Sequence, residues 1–566
     1  MLKDAARLEA GTTIDADVCI VGSGPAGQTL ARELAGTEHK VVVLESGDFR
    51  RRRKLKQLNE GETFGDAYHN PRWGRERRVG GSTNRWLTDI GGGTIGARFV
   101  PLDPIDFEKR DRIPHSGWPI SRSDLDPFYE RAQVHCGAGP FRYDVEAWKE
   151  PGLSGTIETP GIETTMFQFG PQTQWTVRAH ELFSKSPNID TYLNASVVEL
   201  ETNAAGDFVT TVKALNPARQ PLQVRAKFVV LAVGCVETTR VLLNSKAVHK
   251  EGIGNAHGVL GRYYMDHPQS YMNAFKPRDR RLFDTLGLFD LRLKGKMSVM
   301  AKLTFRDELL RREQIPNVCH VLFPRRDHFL TPGFQAFFSL ALDVKRAARP
   351  VNVGKRLKSL ALGASDLLPI AGWFLQGKAH YPHLAKGGWA HLADKRDLFT
   401  AFEVWTMVEQ LPHAENRVRL SDKRDPNGTP IVRIDWRFTE ADHKAVQRQR
   451  SLFKQEIEAA GLGEMTWSKD VYSTPSSVHP IGGARMGMDP RSSVVNEHLA
   501  VHGVPNLLLA SSAVFPTAGY ANPTLTVVAL ACRVADRLKS LLAARPGITV
   551  ARAPSFASAP ITASPF

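Results

Sequence analysis

The hydrophobic pattern changes character along the chain. Near the start, "DADVCIVGSGPAGQTLARELAGTEHKVVVLESG" (15–47) gives a continuous apolar strand, Val18 to Val21, then a helical period, then a second apolar strand closing on Glu45. Unbroken apolar runs of this length, separated by a helix, are the mark of a parallel βαβ unit buried on both faces. "ASVVEL" (195–200) and "AKFVVLAVG" (226–234) read as further strands, the second followed by a helix start. From about 270 the pattern turns to alternation. "AFEVWTMVEQ" (401–410) reads as an alternating strand, and "NRVRLSDKRDPNGTPIVRIDWRF" (416–438) reads as two strands around the turn "DPNG". "TEADHKAVQRQRSLFKQEIEAAG" (439–461) is a helix with Thr439 as N-cap and Gly461 as its stop. A last helical apolar run begins at Pro523 in "GYANPTLTVVALA", and the Pro/Ala/Ser-rich end is expected to be loosely held.

The chemistry sits at the ends of these elements. Gly22-x-Gly24-x-x-Gly27 lies between strand and helix, and Glu45 follows 18 residues after the last glycine. This is the dinucleotide fingerprint in its required context. Gly22 permits the turn, Gly24 lets backbone approach a pyrophosphate, Gly27 allows close helix–strand packing, and Glu45 accepts from the ribose. A second glycine-rich element, "RRVGGSTNRW" (77–86), the backbone of Val198 and the strand end at Gly234 are further expected contacts. Contacts so scattered fit an extended cofactor such as FAD better than NAD.

Composition narrows the classes. The 566 residues suffice for two or more domains, and five cysteines without a CxxC pair exclude a zinc ribbon or disulfide framework, so no metal is expected. The net charge of +15 comes with no zinc-finger spacing or RNP-like box, so nucleic acid is not expected as a partner. Basic residues cluster at 50–56 and again from Lys345 to Lys358, just before the apolar "SLALGASDLLPIAGWFLQG". That second region (345–375) is either a peripheral membrane contact or a core helix pair with a basic edge. The opening residues enter the first strand without a charged-then-apolar leader, so a cytoplasmic, optionally membrane-associated, location is expected. Asn522 has two readings on local grounds: a helix cap before Pro523, or a substrate contact.

With these motifs in place, the chain resembles the glucose–methanol–choline (GMC) oxidoreductase family of flavoproteins from about residue 15 to about 540. The likeness is strongest in 15–50, in "RRVGGST", in "LGRYYMDHP" (260–268), and in the block "HPIGGARMG…GYANPTLTVVALACRVADRL" (479–538). It looks closest to the branch of pyranose oxidase, gluconate dehydrogenase and related sugar dehydrogenases. The resemblance implies an α/β fold: a Rossmann-type FAD domain with an α+β substrate domain on a large antiparallel sheet. Expected boundaries are 1–100, 186–270 and 471–545 for the FAD-binding and catalytic parts and 101–185 for a connecting region. Residues 271–470 make the substrate domain, with an insertion at 341–390, and 546–566 the tail.

By resemblance the catalytic histidine falls on His479 and its partner on Asn522. The cofactor set extends to Gly80, Gly81, Ser82, Thr83, Arg85, Ser511, Pro523 and Thr524. The helix start at Pro523 would face the negative end of the reduced flavin. Arg85 stands where some relatives carry a flavin-linked histidine, so FAD is expected to be non-covalent; Arg85 itself serves an anionic substrate, the reduced flavin, or a structural ion pair. The implied reaction is oxidation of a sugar, glycoside or polyol-like secondary alcohol. The acceptor is oxygen, a quinone or a redox protein, with a dehydrogenase slightly favoured. The rival readings are a non-redox lyase or decarboxylase on the same fold and a membrane-partnered dehydrogenase subunit.

Overall fold

A computed structural model of the chain describes residues 1–326, 353–365 and 387–544, together with 331, 333, 334, 336, 337, 340 and 368, and without 87, 91, 92, 470 and 475. Most of the basic and apolar insertion and the tail therefore lie outside the described residues. In chain order, the strands that build the site are β1 (Thr12–Val21), β2 (Val41–Leu44), β3 (Ile95–Phe99), β4 (Ile162–Pro171), β5 (Ser196–Thr202) and β6 (Pro221–Leu231). They continue with β7 (Gln269–Pro277), β8 (Met297–Phe305), β9 (Val318–Arg325), β10 (Ala401–Val408) and β11 (Val504–Leu509). The helices used below are α1 (Pro25–Leu34), α2 (Gly234–Asn244), α3 (Glu440–Ala459) and α4 (Thr524–Ala543).

β2, β1, β6 and β11 lie side by side and parallel, with Val18 opposite Val41, Val21 opposite Leu231, and Leu231 opposite Leu509. They form the centre of a nine-stranded sheet. Their apolar runs are buried, Val18, Ile20, Val42 and Val43 at 0% exposure, with α1 packed against β1 and β2. A second nine-stranded sheet is antiparallel throughout and runs β7–β10–β9–β8–β4–β3 across its centre. The strand read from the alternation in 401–410 forms as β10, and both of its faces are covered. One is covered by α3, whose Phe453 ring packs 4.0 Å from His320 beside Thr406. The other turns towards the first sheet.

The hairpin around "DPNG" forms as read, Arg417–Arg424 against Pro430–Trp436, and Gly61–Gly65 joins it as a parallel third strand. Thr439 caps α3 through a capping box with Asp442. The two large sheets meet along a seam where the parallel strands end.

Candidate active site

In an open parallel sheet, ligands bind beyond the carboxyl ends of the strands. Here those ends are Val21, Leu44, Leu231 and Leu509, and a cavity of about 660 Å³ opens just past them. Its opposite wall is the face of the antiparallel sheet that carries Arg98, Val321, Trp405 and Met407.

The dinucleotide turn has the geometry its glycines require. Gly22 has φ +99°, and a Cβ on it would meet the Ala232 carbonyl oxygen at 2.8 Å. A Cβ on Gly27 would lie 1.9 Å from the Gly22 carbonyl oxygen, so only glycine lets α1 sit this close to β1. A Cβ on Gly24 would meet nothing within 4 Å, because it points into the cavity at the N-terminus of α1. Glu45 is buried and accepts from the Ser23 amide at 3.0 Å and hydroxyl at 2.6 Å, and from the Gly47 amide at 3.0 Å. The cradle thus fits a pyrophosphate: open space at the one glycine where backbone must approach, facing amides and a positive helix end.

Gly81, Ser82, Thr83, Arg85, Gly234, Ser511, Pro523 and Thr524 all line the same cavity. Gly80 does not; its amide bonds the Ser23 carbonyl at 3.0 Å and ties this loop to the dinucleotide turn. Val198 does not line it either. It is bulged out of the ladder between β5 and its neighbour, its carbonyl accepts from Asn244, and Val197 forms the wall. Arg85 lies 3.5 Å from Glu76 and over the ring of Trp73 at 5.8 Å.

At the other end of the cavity, His479 and Asn522 meet, with Asn522 Nδ2 2.9 Å from His479 Nε2. Pro523 already has helical dihedrals, which makes Asn522 the residue flanking α4. Yet its side chain makes no cap. Its Oδ1 accepts from Arg98 Nε at 2.9 Å. His479 Nδ1 lies 3.1 Å from Nδ1 of His267, whose Nε2 faces the Ala518 carbonyl at 3.4 Å.

One proton arrangement satisfies all four contacts. Arginine only donates, so Asn522 presents its oxygen to Arg98 and its NH2 to His479. His479 then accepts at Nε2, carries its hydrogen on Nδ1 and donates to His267, which donates from Nε2 to Ala518. Both imidazoles are neutral. Burial holds His479 well below the usual histidine range, with the nearby His267 and Arg98 adding to it, and burial lowers His267 as well.

The loop that presents His479 is organised by Asp266, which is fully buried. Its carboxylate accepts from the amides of His267 (2.7 Å), Ser477 (3.1 Å) and His479 (3.1 Å), from the Tyr68 hydroxyl (2.6 Å) and from the Ser476 hydroxyl. The loop that presents Asn522 is held from behind. Glu409 takes both terminal nitrogens of Arg110 at 2.9 Å, and accepts from the Gly519 amide at 3.2 Å and the Asn317 amide at 2.7 Å. Burial and the charge of Glu409 push Asp106 well above the carboxylate range, so the proton of this pair of acids sits on Asp106 and the charge on Glu409.

Arg98, His267 and Asp266 are the functional side chains that sequence reading missed. "DHP" at 266–268 lay within a segment that already carried the family resemblance, and that was the signal for two of them. Arg98 gave none.

Residues 412–531 match the family model "GMC oxidoreductase". The chain is 24% identical to 2-methyl-1,2-propanediol dehydrogenase of Mycolicibacterium austroafricanum, over 92% of this chain and 94% of that one. It is likewise 24% identical to the fructose dehydrogenase large subunit of Gluconobacter japonicus, over 93% and 98%. Among solved structures, a formate oxidase variant of Aspergillus oryzae RIB40, studied for its FAD modification, shares the fold with TM-score 0.51 at 16% identity, covering 94% of this chain and 99% of that one. An α/β chain with a cavity that fits FAD, a match to the GMC oxidoreductase model over 412–531 and relatives of this kind along nearly its whole length is similar to the GMC oxidoreductases, flavoenzymes that oxidise CH–OH groups.

Proposed function

We propose that this FAD-dependent alcohol oxidoreductase acts on a secondary alcohol of a sugar, glycoside or polyol, with FAD held non-covalently, His479 as base and Asn522 as donor to the substrate oxygen. One observation carries this: the lone pair of a neutral His479 Nε2 and the amide hydrogens of Asn522 Nδ2 converge 2.9 Å apart in the cavity. A carbinol oxygen that replaces this hydrogen bond would give its proton to Nε2 and accept from Nδ2. FAD, when bound, supplies the acceptor for the carbinol hydride at N5. A positioned base contributes about 10²–10⁴ in rate. One donor to the developing alkoxide contributes about 10²–10³. Imidazolium formed on His479 keeps its Nδ1 hydrogen on His267. Trp405 and Tyr271, whose rings pack 4.7 Å apart, give the cavity an aromatic wall suited to a sugar ring. The relatives named above for a diol and for fructose support a polyhydroxy substrate.

The test is anaerobic mixing of the FAD enzyme with a panel of sugars, glycosides, polyols and hydrophobic alcohols. Bleaching of the flavin band by a polyhydroxy compound, lost in His479→Ala, is the expected result. A flavin that stays oxidised across the panel but yields to dithionite refutes it.

The same reading includes a peripheral membrane contact through the region 345–375. Among the described residues no helix is long and apolar enough to cross a membrane. The helix Val353–Leu362, however, exposes Leu357 at 51% and Leu362 at 79% beside Lys355, Arg356 and Lys358. Sedimentation with phosphatidylserine vesicles, lost in Leu357→Glu, is expected; no salt-sensitive binding removes this part of the proposal.

A further inference from the structure

The cation nearest the proposed base has no carboxylate of its own. Arg98 enters the cavity from β3 with its guanidinium carbon 4.9 Å from the ring centre of Phe167. Its Nε bonds Asn522 Oδ1, and a terminal nitrogen rests on the Met407 sulfur at 3.4 Å. Among the described residues, no Asp or Glu oxygen lies within 4.0 Å of it. A charge taken partly out of water without a counter-ion is costly, so its place here calls for a function.

We propose that Arg98 is the positioning residue that keeps His479 in its base-ready tautomer, by fixing which way round the Asn522 amide stands. An amide is symmetric in shape and can flip about its last bond at little steric cost. Flipped, Asn522 would turn its oxygen to His479, and Nε2 could satisfy it only by carrying a hydrogen. A histidine protonated there has no lone pair for a substrate hydroxyl. Arg98 forbids the flip, because the flipped amide would set NH2 against a group that can only donate. The lock passes down the chain: Asn522 NH2 to His479 Nε2, His479 Nδ1–H to His267, His267 Nε2–H to Ala518. His267 completes it as an acceptor at Nδ1, because the Ala518 carbonyl can only accept from its Nε2; without Arg98 the amide could flip at the cost of the His479–His267 contact. The groups facing His479 are Arg98 from β3, His267 and Asp266 from the turn before β7, and Asn522 before α4; Glu409 faces His267 from behind.

This inference rests on His479 being the base, but its main test needs no substrate. The FAD enzyme labelled with ¹⁵N-histidine is compared by NMR with the Arg98→Gln and Arg98→Lys variants, the His479 signals being assigned by their loss in His479→Gln. Wild type is expected to show a neutral Nδ1–H tautomer that persists well below pH 6.5. Arg98→Lys, whose ammonium also only donates, keeps it. Arg98→Gln, which can offer an oxygen to a flipped amide, yields Nε2–H or a mixture and moves the protonation midpoint up. With any alcohol that bleaches the wild-type flavin, Arg98→Gln slows reduction about 10²-fold, while Arg98→Lys recovers most of the loss. An unchanged tautomer in Arg98→Gln with FAD bound overturns the proposal, and so does equal loss in both variants. Failure of the alcohol panel leaves the NMR result standing, so the two readings fail separately.

Discussion

Gly24 and Gly27 belong to one motif, yet the structure gives them opposite failure modes. Gly24 has extended dihedrals, φ −72° and ψ −172°, which alanine adopts freely, and its added Cβ would meet no protein atom within 4 Å. Gly24→Ala should therefore leave the apoprotein within about 0.5 kcal/mol of wild type. What it blocks is the approach of the pyrophosphate to the α1 amides. One lost hydrogen bond to a charged group is worth about 1.5–3 kcal/mol, which is about 10- to 150-fold in Kd. Gly27→Ala is different, because its Cβ falls 1.9 Å from the Gly22 carbonyl oxygen, far inside contact distance. Helix and turn must part by roughly 1 Å, an overpacking cost of about 1–3 kcal/mol in the apoprotein itself. The assay pairs thermal unfolding of apoprotein with titration of FAD by fluorescence quenching. Gly24→Ala should separate the two readouts and Gly27→Ala should lower both. A Gly24→Ala apoprotein that melts as early as Gly27→Ala, or one that binds FAD with wild-type affinity, refutes this account of the cradle.

Two further outcomes follow from the loops behind the site. Asp266→Asn puts an NH2 where five donors converge; it should loosen the 476–479 loop by about 3 kcal/mol, and flavin reduction by substrate should slow while bound FAD per chain stays near wild type. Glu409→Gln breaks a pair whose side chains are 1% and 0% exposed, at a cost of about 3–5 kcal/mol. Burial raises the Glu409 carboxyl, but Arg110 and its hydrogen bonds outweigh burial and hold it below the model-peptide value of 4.5. A depressed carboxyl stabilises the fold above its unfolded pKa and loses that contribution as pH falls through the folded one. The gap in unfolding temperature between wild type and Glu409→Gln should thus be full at neutral pH and close below about pH 4.5; a gap independent of pH would falsify the assignment of the charge to Glu409.

How far the sequence led depends on whether a feature is local. The βαβ start was legible because every part of its function lies within 15–47: a turn that needs Gly22, a packing contact between Gly27 and Gly22, an acid at the end of the next strand. The strands of the second sheet were legible as alternation, but alternation says only that two faces differ. It could not say that both faces of β10 would be covered, one by Phe453 and one by the seam. Val198 shows the same limit from the other side, since a bulge shifts which residue of a strand faces a ligand, and nothing in "ASVVEL" announces a bulge.

Asn522 is the sharpest case. The property that makes asparagine a good helix cap, a short side chain offering both oxygen and NH2, is the same property that lets it hold a substrate oxygen. No local signal can separate the two uses, because they ask for the same atoms in front of the same proline. What decides is where the oxygen of the amide is spent, and that is set by Arg98, 424 residues earlier in the chain. Arg98 is one of 74 basic side chains, on a strand with no motif. It becomes visible only when the antiparallel sheet closes over the parallel one and brings a donor-only group against an amide that would otherwise be free to turn. The His479–Asn522 end of the cavity is thus a property of the seam between the sheets rather than of either sheet's sequence. Substitutions that shift the seam without touching His479 or Asn522 should therefore disturb chemistry before they disturb cofactor binding, since the dinucleotide cradle is built within the first sheet alone.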